Sequence, residues 1–308
     1  MKVVVTGGAG FIGANLCRAL LRADIDEVVA VDDLSTGSAT NLDGVDARLV
    51  EATILDPDAL DAAFDGADAV VHLAARPSVP KSIADPMASH DANATGTAQV
   101  LEAVRRAGGP HLIVASSSSV YGANPTLPKR EDLRPQPLSP YAAQKLAAET
   151  YTLAWAHSFG LDVLAFRFFN VFGPLQTAGH AYAAVVPAFI DAALAGRPVP
   201  VHGDGCQTRD FTFIDSVTDV ITDAVRRRVT SADPINLAFG GRFTLLDVIA
   251  VLEQLLGQTL DREHQAPRAG DVRDSQADQT RLRSLFPDIE PVPLDEGLRR
   301  TIDWFRSV

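Results

Sequence analysis

The sequence predicts an α/β protein: a doubly wound parallel sheet followed by a smaller mixed α/β lobe. Three observations carry that expectation. The first half alternates short β-branched runs with amphipathic stretches, and the first apolar run ends in a glycine-rich turn that opens a helix. Beyond about Asn170 the alternation gives way to isolated helices and short strands set among prolines and glycines.

Strand-forming runs lie at Lys2–Thr6, Glu27–Asp32, 47–50, 69–73, 111–115 and Val163–Phe168, with amphipathic stretches at 11–23, 90–107 and 141–159 between several of them. Strands alternating with helices imply βαβ units and a parallel sheet covered on both faces. Ligands of such sheets bind at the carboxyl ends of the strands, so functional residues should gather along one edge. In the second half, Val185–Leu194, 215–228 and Leu245–Leu256 read as helices and Ile235–Leu237 as a strand. Pro198-Val199-Pro200 and Gly203-Asp204-Gly205 read as turns or edges. The expected division is a sheet domain over 1–168 to which 211–240 return, and a lobe formed by 169–210 and 241–308.

The 308 residues, 46% hydrophobic and 21% charged, can bury a substantial core, and no apolar run approaches the length of a membrane span. Met1-Lys2-Val3-Val4-Val5 leads directly into the glycine motif, with no room for a signal peptide, and the only cysteines, Cys17 and Cys206, lie far apart. A reducing cytoplasm is expected, with no disulfide and no metal site. A net charge of -12 argues against a nucleic-acid binder, and neither a nucleic-acid nor a membrane partner is expected.

Thr6-Gly7-Gly8-Ala9-Gly10-Phe11-Ile12-Gly13 follows the first strand and opens the first helix. Glycines there permit a tight turn and close backbone approach, and free amides at the helix start suit a pyrophosphate. Asp32 ends the second strand, where a carboxylate can hold a ribose 2′-hydroxyl. Asp32 and Asp33 would repel a 2′-phosphate and no arginine follows closely, so the spacing points to NAD over NADP.

Tyr141 and Lys145 are spaced to share one helix face, about a turn apart. A phenol is a poor base at neutral pH unless a nearby cation favours the phenolate, and Lys145 can supply that charge. Ser139-Pro140 is a helix-start signal just ahead. The run Ser116-Ser117-Ser118-Ser119-Val120-Tyr121-Gly122 follows the strand at 111–115, where Ser117 is the candidate catalytic hydroxyl.

These residues resemble the extended short-chain dehydrogenase/reductase family, in its NAD-dependent epimerase/dehydratase branch. The resemblance covers almost the whole chain. It adds to the motifs above Val71-His72-Leu73-Ala74-Ala75, Asn93 with Gly96-Thr97, and Arg167-Phe168-Phe169-Asn170-Val171-Phe172-Gly173-Pro174. Gly203-Asp204-Gly205 through Arg209-Asp210-Phe211 and Arg268-Ala269-Gly270-Asp271 complete the set. It implies a Rossmann-type fold in which Gly7, Gly10, Phe11, Ile12, Gly13 and Asp32 bind NAD, Ile54 lies beside adenine and Leu73, Ala74 and Ala75 run along the cofactor. Asn93, Ser116 and Phe168 complete that cofactor set. Tyr141 would be the base, Lys145 its partner and a ribose ligand, and Ser117 the catalytic hydroxyl. On the substrate side, Asn170, Arg209 and Arg268 would hold a diphosphate, and His202 would stack on the base. Ser118, Ser119, Val185, Asp271 and Ser275 complete the nucleotide-sugar contacts. Thr53 departs from the family, many of whose members carry an aspartate near the adenine amino group.

Within the family the resemblance implies a 4-epimerase of UDP-hexoses acting through a transient 4-keto sugar. Its 4,6-dehydratases carry an acidic pair after the catalytic hydroxyl, where this chain has Ser118 and Ser119. Its glucuronate-handling members place an arginine where this chain has Thr177, which makes a uronate the second expectation. Gly179-His180-Ala181-Tyr182-Ala183-Ala184-Val185-Val186-Pro187 resembles the N-acetylhexosamine-tolerant epimerases, and a small Ser275 leaves room at the sugar's C2 group. A decarboxylase or reductase on the same scaffold, a thymidine-linked sugar and a non-catalytic sensor are the remaining alternatives. The last is opposed by the intact Tyr141, Lys145 and Ser117. The family pairs the helices at 90–107 and 141–159 across a two-fold axis, so a homodimer is expected. Ala142, Ala143, Leu146, Ala147 and Ala148 are the candidate contacts.

Overall fold

The computed structural model describes residues 1–178, 184–266 and 272–308. Its first half runs β1 (Lys2–Thr6), α1 (Phe11–Arg22), β2 (Glu27–Asp32), β3 (Ala47–Glu51), α2 (Pro57–Phe64), β4 (Ala69–His72), α3 (Val79–Ala84), α4 (Pro86–His90), α5 (Gly96–Arg106), β5 (His111–Ser117), α6 (Pro140–Phe159) and β6 (Val163–Phe168). The rest runs β7 (Val171–Phe172), α7 (Val185–Leu194), β8 (Val199–His202), β9 (Thr208–Arg209), β10 (Thr212–Phe213), α8 (Ile214–Arg227), β11 (Ile235–Leu237), β12 (Phe243–Thr244), α9 (Leu245–Leu256), β13 (Arg262–Gln265), α10 (Thr280–Leu285) and α11 (Leu294–Phe305).

Seven strands form one sheet in the order β11-β6-β5-β4-β1-β2-β3, and each neighbouring pair is parallel. The doubly wound α/β expectation therefore holds. Its cause is legible in β1, whose Val3, Val4 and Val5 are all fully buried. An all-parallel sheet needs apolar side chains on both faces. Val3 and Val5 join Leu16, Leu20, Val217 and Ile221 of α1 and α8 on one side. Val4 meets Leu60, Phe64, Val100 and Leu101 of α2 and α5 on the other. The sequence order β1-β2-β3 on one side and β4-β5-β6 on the other reverses next to β1, which opens a crevice at the strands' carboxyl ends.

A second core, with Phe189, Ile190, Val199, Val201, Val248, Leu252 and Ile302, lies under α7, α9 and α11. Pro198-Val199-Pro200 enters this lobe as part of an edge strand. β8 pairs in parallel with β13, and Val199 and Val201 point into the core. β13 has no apolar signal because its Arg-Glu-His-Gln side chains are exposed and its place is fixed by backbone pairing with β8. β11 sits on the main sheet beside β6, after the chain has crossed into the lobe and back through α8.

The segment expected as one helix over 90–107 carries a π-helical turn at Asp91–Thr95 before α5 begins. The wider turn places Asn93 inside, where its side chain donates to Gln144 Oε1 at 3.0 Å and accepts from Arg76 N at 2.8 Å. On α6, Ala142 and Ala148 are buried within the chain's own fold, so they offer nothing to a partner subunit. The exposed apolar side chains here are instead Tyr151 and Phe159 of α6 and Ile83 and Met87 of the neighbouring α3 and α4. Among the described residues no helix is long and apolar enough to cross a membrane, and no cluster of three His, Cys, Asp or Glu residues could hold a metal.

Candidate active site

A cleft of about 1630 Å³ runs along the carboxyl edge of the sheet and into the lobe, larger than a single drug-sized ligand requires. One end is built by the turn between β1 and α1. Helix α1 has Gly10 at its N-cap with no side-chain cap and no acidic residue in its first turn, so its leading amides face the cleft without a protein acceptor. A Cβ at Gly13 would stand 2.1 Å from Gly7 O, and one at Gly7, whose φ is +72°, would stand 2.7 Å from Ala74 N. Only glycine lets this turn close against residues 73–75. Asp32 comes off β2 beside the turn, its Oδ2 accepting from Ala9 N and its Oδ1 from Leu34 N, each at 2.9 Å. Burial pushes its carboxyl above the usual range, against the pull of the bonds from Leu34 and Ala9. The uncapped helix start, the glycine turn and this fixed carboxylate fit a dinucleotide's pyrophosphate and ribose.

The middle of the cleft is set by β5 and α6. The Ser139 hydroxyl caps α6 by accepting from Ala142 N at 3.2 Å, Pro140 follows in the first turn, and Tyr141 N donates to the buried Ser82 Oγ at 3.1 Å. These contacts fix where the Tyr141 ring enters. Burial pushes the phenol above its ordinary pKa, and the neighbouring Ser117 hydroxyl pulls the other way. The Lys145 ammonium donates to Ala115 O at 2.9 Å, and burial lowers it to about 8. The group seen to counter the phenol's upward shift is thus Ser117, with Lys145 anchored one turn along the same helix.

Tyr141, Lys145, Ser116, Ser117 and Phe168 line this cleft together with Gly7, Gly10, Phe11, Ile12, Gly13, Asp32, Ile54, Leu73, Ala74 and Ala75. Asn170, Val185, His202 and Arg209 line its lobe side, as do Thr53 and Thr177. Asn170 donates to Asp210 O at 3.2 Å, His202 Nδ1 lies 3.1 Å from Ala266 O, and Arg209 donates to Thr208 O and Arg273 O. Ser118, Ser119 and Ser275 line a neighbouring pocket of about 230 Å³ that also borders Ser117, Phe168, Asn170 and Arg209. Asn93 lies outside the lining of both, buried in its contacts to Gln144 and Arg76. Arg268, Asp271 and most of the segment expected to favour N-acetylhexosamines, residues 179–183, lie outside the described residues.

Two buried arrangements behind the cleft have weak sequence signals. Glu149, two turns past Tyr141, accepts from Arg167 Nη2 at 2.7 Å and Nε at 2.9 Å and from Ser116 Oγ at 2.7 Å. The i, i+4, i+8 spacing of Tyr141, Lys145 and Glu149 was the available hint. At the end of β4, His72 lies between Thr6 Oγ1, 2.7 Å from Nδ1, and Thr97 Oγ1, 3.0 Å from Nε2. Burial, with the Lys145 charge adding, pushes this imidazole down to about 3. The unfolded chain binds that proton near pH 6.5 and the folded chain only near 3, so stability is complete above 6.5 and is lost as pH falls through this window. The loss attributable to His72 reaches about 2 kcal/mol by pH 5. Denaturant unfolding of the wild type and of His72→Asn should therefore show their stability gap narrowing by about that amount between pH 7 and pH 5. A gap that stays constant would refute the buried neutral imidazole.

Residues 3–238 match the NAD-dependent epimerase/dehydratase family. The chain belongs to that family. As a member it is an NAD-dependent enzyme. It is 38% identical to a UDP-glucose 4-epimerase of Mycolicibacterium smegmatis, an alignment covering 100% of this chain and 99% of the relative. Its structure is similar to that of the UDP-N-acetylglucosamine 4-epimerase from Methanobrevibacter ruminantium M1 in complex with UDP-N-acetylmuramic acid. The TM-score is 0.93 at 35% identity, covering 99% of this chain and 98% of the other. A UDP-glucuronic acid 4-epimerase from Bacillus cereus, in complex with UDP-glucuronic acid and NAD, superposes with a TM-score of 0.91 at 30% identity, covering 100% of this chain and 99% of that one. The family member described here thus shares its whole length with 4-epimerases of three different UDP-sugars.

Proposed function

We propose that this enzyme is a UDP-hexose 4-epimerase that interconverts UDP-glucose with UDP-galactose and accepts the N-acetylated pair. The observation that carries the reading is the meeting of Tyr141 and Ser117 at the middle of a cleft whose far end is the uncapped glycine turn. Gly7, Gly10, Phe11, Ile12, Gly13 and Asp32 hold NAD, with Lys145 on its ribose, and Asn170, His202, Arg209 and Arg268 hold the UDP moiety. Bound there, NAD supplies the reversible acceptor for the hydride at C4. Tyr141 Oη takes the proton from the 4-hydroxyl, helped by the Ser117 hydroxyl, which bonds the same oxygens. Tyr141 returns the proton after the keto sugar has turned over, so the cofactor is unchanged each cycle.

Ser118 and Ser119 support this reading over dehydration, because neither can act as a carboxylate acid or base. The small Ser275, 5% exposed in the side pocket, supports tolerance of a C2 acetamido group. In this reading the sheet domain, residues 1–168 with 211–240, carries the cofactor, and 169–210 with 241–308 carry the sugar nucleotide. The exposed Ile83, Met87, Tyr151 and Phe159 form the contact of a homodimer built on α6 and its neighbours. Cys17 and Cys206, both free, suit a cytoplasmic enzyme.

The test is proton NMR of the purified enzyme with catalytic NAD, following the anomeric signals of UDP-glucose and UDP-N-acetylglucosamine in separate samples. The galacto epimer should grow in each. If UDP-glucose turns over and the acetylated sugar does not, the Ser275 argument fails; if both bind unchanged, the epimerase reading fails.

A further inference from the structure

A chain of buried polar side chains takes no part in the proton and hydride transfers: Thr6 at the end of β1, His72 at the end of β4, Thr97 at the start of α5 and Asn93 in the π-helical turn. Counting protons fixes the direction of each bond in it. Thr97 Oγ1 lies 2.7 Å from Asn93 O, and because a carbonyl only accepts, the hydroxyl donates there. With its one proton committed, Thr97 Oγ1 accepts from His72 Nε2 at 3.0 Å. The ring is therefore the Nε2–H tautomer, and Thr6 Oγ1 donates to the bare Nδ1 at 2.7 Å. Thr6 Oγ1 in turn accepts from Ala74 N at 3.4 Å. Burial keeps the imidazole neutral, as this assignment requires.

Each end of the chain stops on a functional element. At one end Leu73 N donates to Thr6 O at 3.0 Å and Ala74 N to Thr6 Oγ1, so the backbone that lines the cleft beside Gly7 hangs from Thr6. At the other, Asn93 Oδ1 takes the Arg76 amide and Asn93 Nδ2 donates to Gln144 Oε1. Gln144 stands between Tyr141 and Lys145 on α6, and its Nε2 continues to Pro86 O at 3.2 Å. The Lys145 ammonium is near enough for its charge to act on the His72 ring. An apolar residue would fill this space with no polar partners to satisfy. What the imidazole adds is a rigid link with an acceptor and a donor at a set separation. Building on the epimerase reading, we propose that His72 is a positioning residue, whose Nε2–H tautomer holds the cofactor-lining backbone 73–76 in register with α6. The nicotinamide of NAD and Tyr141 Oη then reach adjacent atoms of the sugar, C4 and its oxygen. A shift of the cofactor against α6 separates these two approaches and falls on the chemical step.

The test cuts the link at one end or the other at neutral pH. It measures the Kd of NAD by calorimetry and kcat for UDP-glucose at saturating NAD, with the unfolding temperature as a control. His72→Asn keeps an acceptor where Nδ1 stood and loses the donor to Thr97. It should lower kcat by about tenfold and leave the NAD Kd within about twofold. His72→Gln carries a donor out to Thr97 and leaves Thr6 without an acceptor. It should raise the NAD Kd by about tenfold and largely keep kcat at saturating NAD. Thr97→Val, close in shape to the threonine, should reproduce His72→Asn, and added to His72→Asn it should lower kcat no further. The same change in both His72 variants would overturn the proposal, as would lower unfolding temperatures with kcat and Kd at wild-type values. A Thr97→Val enzyme with full kcat would overturn it too. Should the wild type not turn over UDP-glucose, the epimerase reading fails on its own, and the NAD Kd of His72→Gln against that of His72→Asn still decides whether the Thr6 end governs the cofactor.

Discussion

Replacing Tyr141 with phenylalanine should lower kcat/KM for UDP-glucose by about 10³-fold, the range expected when a positioned general base is lost, and leave the Kd of the sugar nucleotide nearly unchanged. The ring is held by groups the substitution does not touch. Ser139 caps the helix start, and Tyr141 N donates to Ser82 Oγ. What disappears is Oη, the atom on which Ser117 acts and the only proton acceptor offered at C4 in the proposed mechanism. Removing it also relieves the burial of a polar oxygen, so the variant should fold at least as well as the wild type. Because the proton leaves the 4-hydroxyl as the hydride leaves C4, the loss should fall on kcat, with KM little affected. Isothermal titration with UDP and steady-state assays of the same preparation separate the two effects. Turnover equal to wild type would remove Tyr141 from the mechanism, and a matching loss of affinity would show that the ring binds substrate more than it reacts.

Local features carried most of what the sequence made legible. The glycine turn, Asp32 at the end of β2 and the Tyr141 to Lys145 spacing each depend on residues near one another in the chain, and the alternation of strand and helix periods predicted a parallel, doubly wound sheet. Features that rest on distant pairing were silent. Lys129 stands in Pro-Lys-Arg-Glu, a stretch that reads as solvated loop, and is buried because its backbone pairs with residues 276–278. β13 is polar throughout and is a strand only through β8. The amide of Asn93 links the π-helical turn to Gln144 of α6 and to the backbone of Arg76, contacts between segments far apart in the sequence that its motif does not signal. Ala142 and Ala148 read as surface because alanine gives no strong burial signal, while the helices packed around α6 decide their exposure.

The same distant pairing governs the second large effect. Arg167→Met should destabilise the enzyme by about 3–5 kcal/mol, the cost of stranding one member of a buried ion pair. The pair lies in the interior, with side-chain exposures of 3% for Arg167 and 4% for Glu149, so water cannot take over when the guanidinium is removed. Arg167 also lies over the Tyr121 ring, 4.7 Å from its centre, and Tyr121 Oη donates to Asn236 Oδ1 at 2.7 Å. Methionine fills much of the volume but satisfies neither the carboxylate nor the ring face. The charge left on Glu149 is the main cost, so Glu149→Gln combined with Arg167→Met should recover most of the loss, and urea unfolding of the single and double variants measures the coupling directly. Equal destabilisation in the single and double variants would assign the effect to packing and leave the ion pair without a role. The functional consequence follows from connectivity. Ser116 Oγ donates to Glu149, next in sequence to Ser117, and Glu149 lies two turns from Tyr141 on α6. A carboxylate that swings away from Arg167 therefore loosens both members of the proposed proton-transfer pair, and the single variant should lose kcat even where it remains folded.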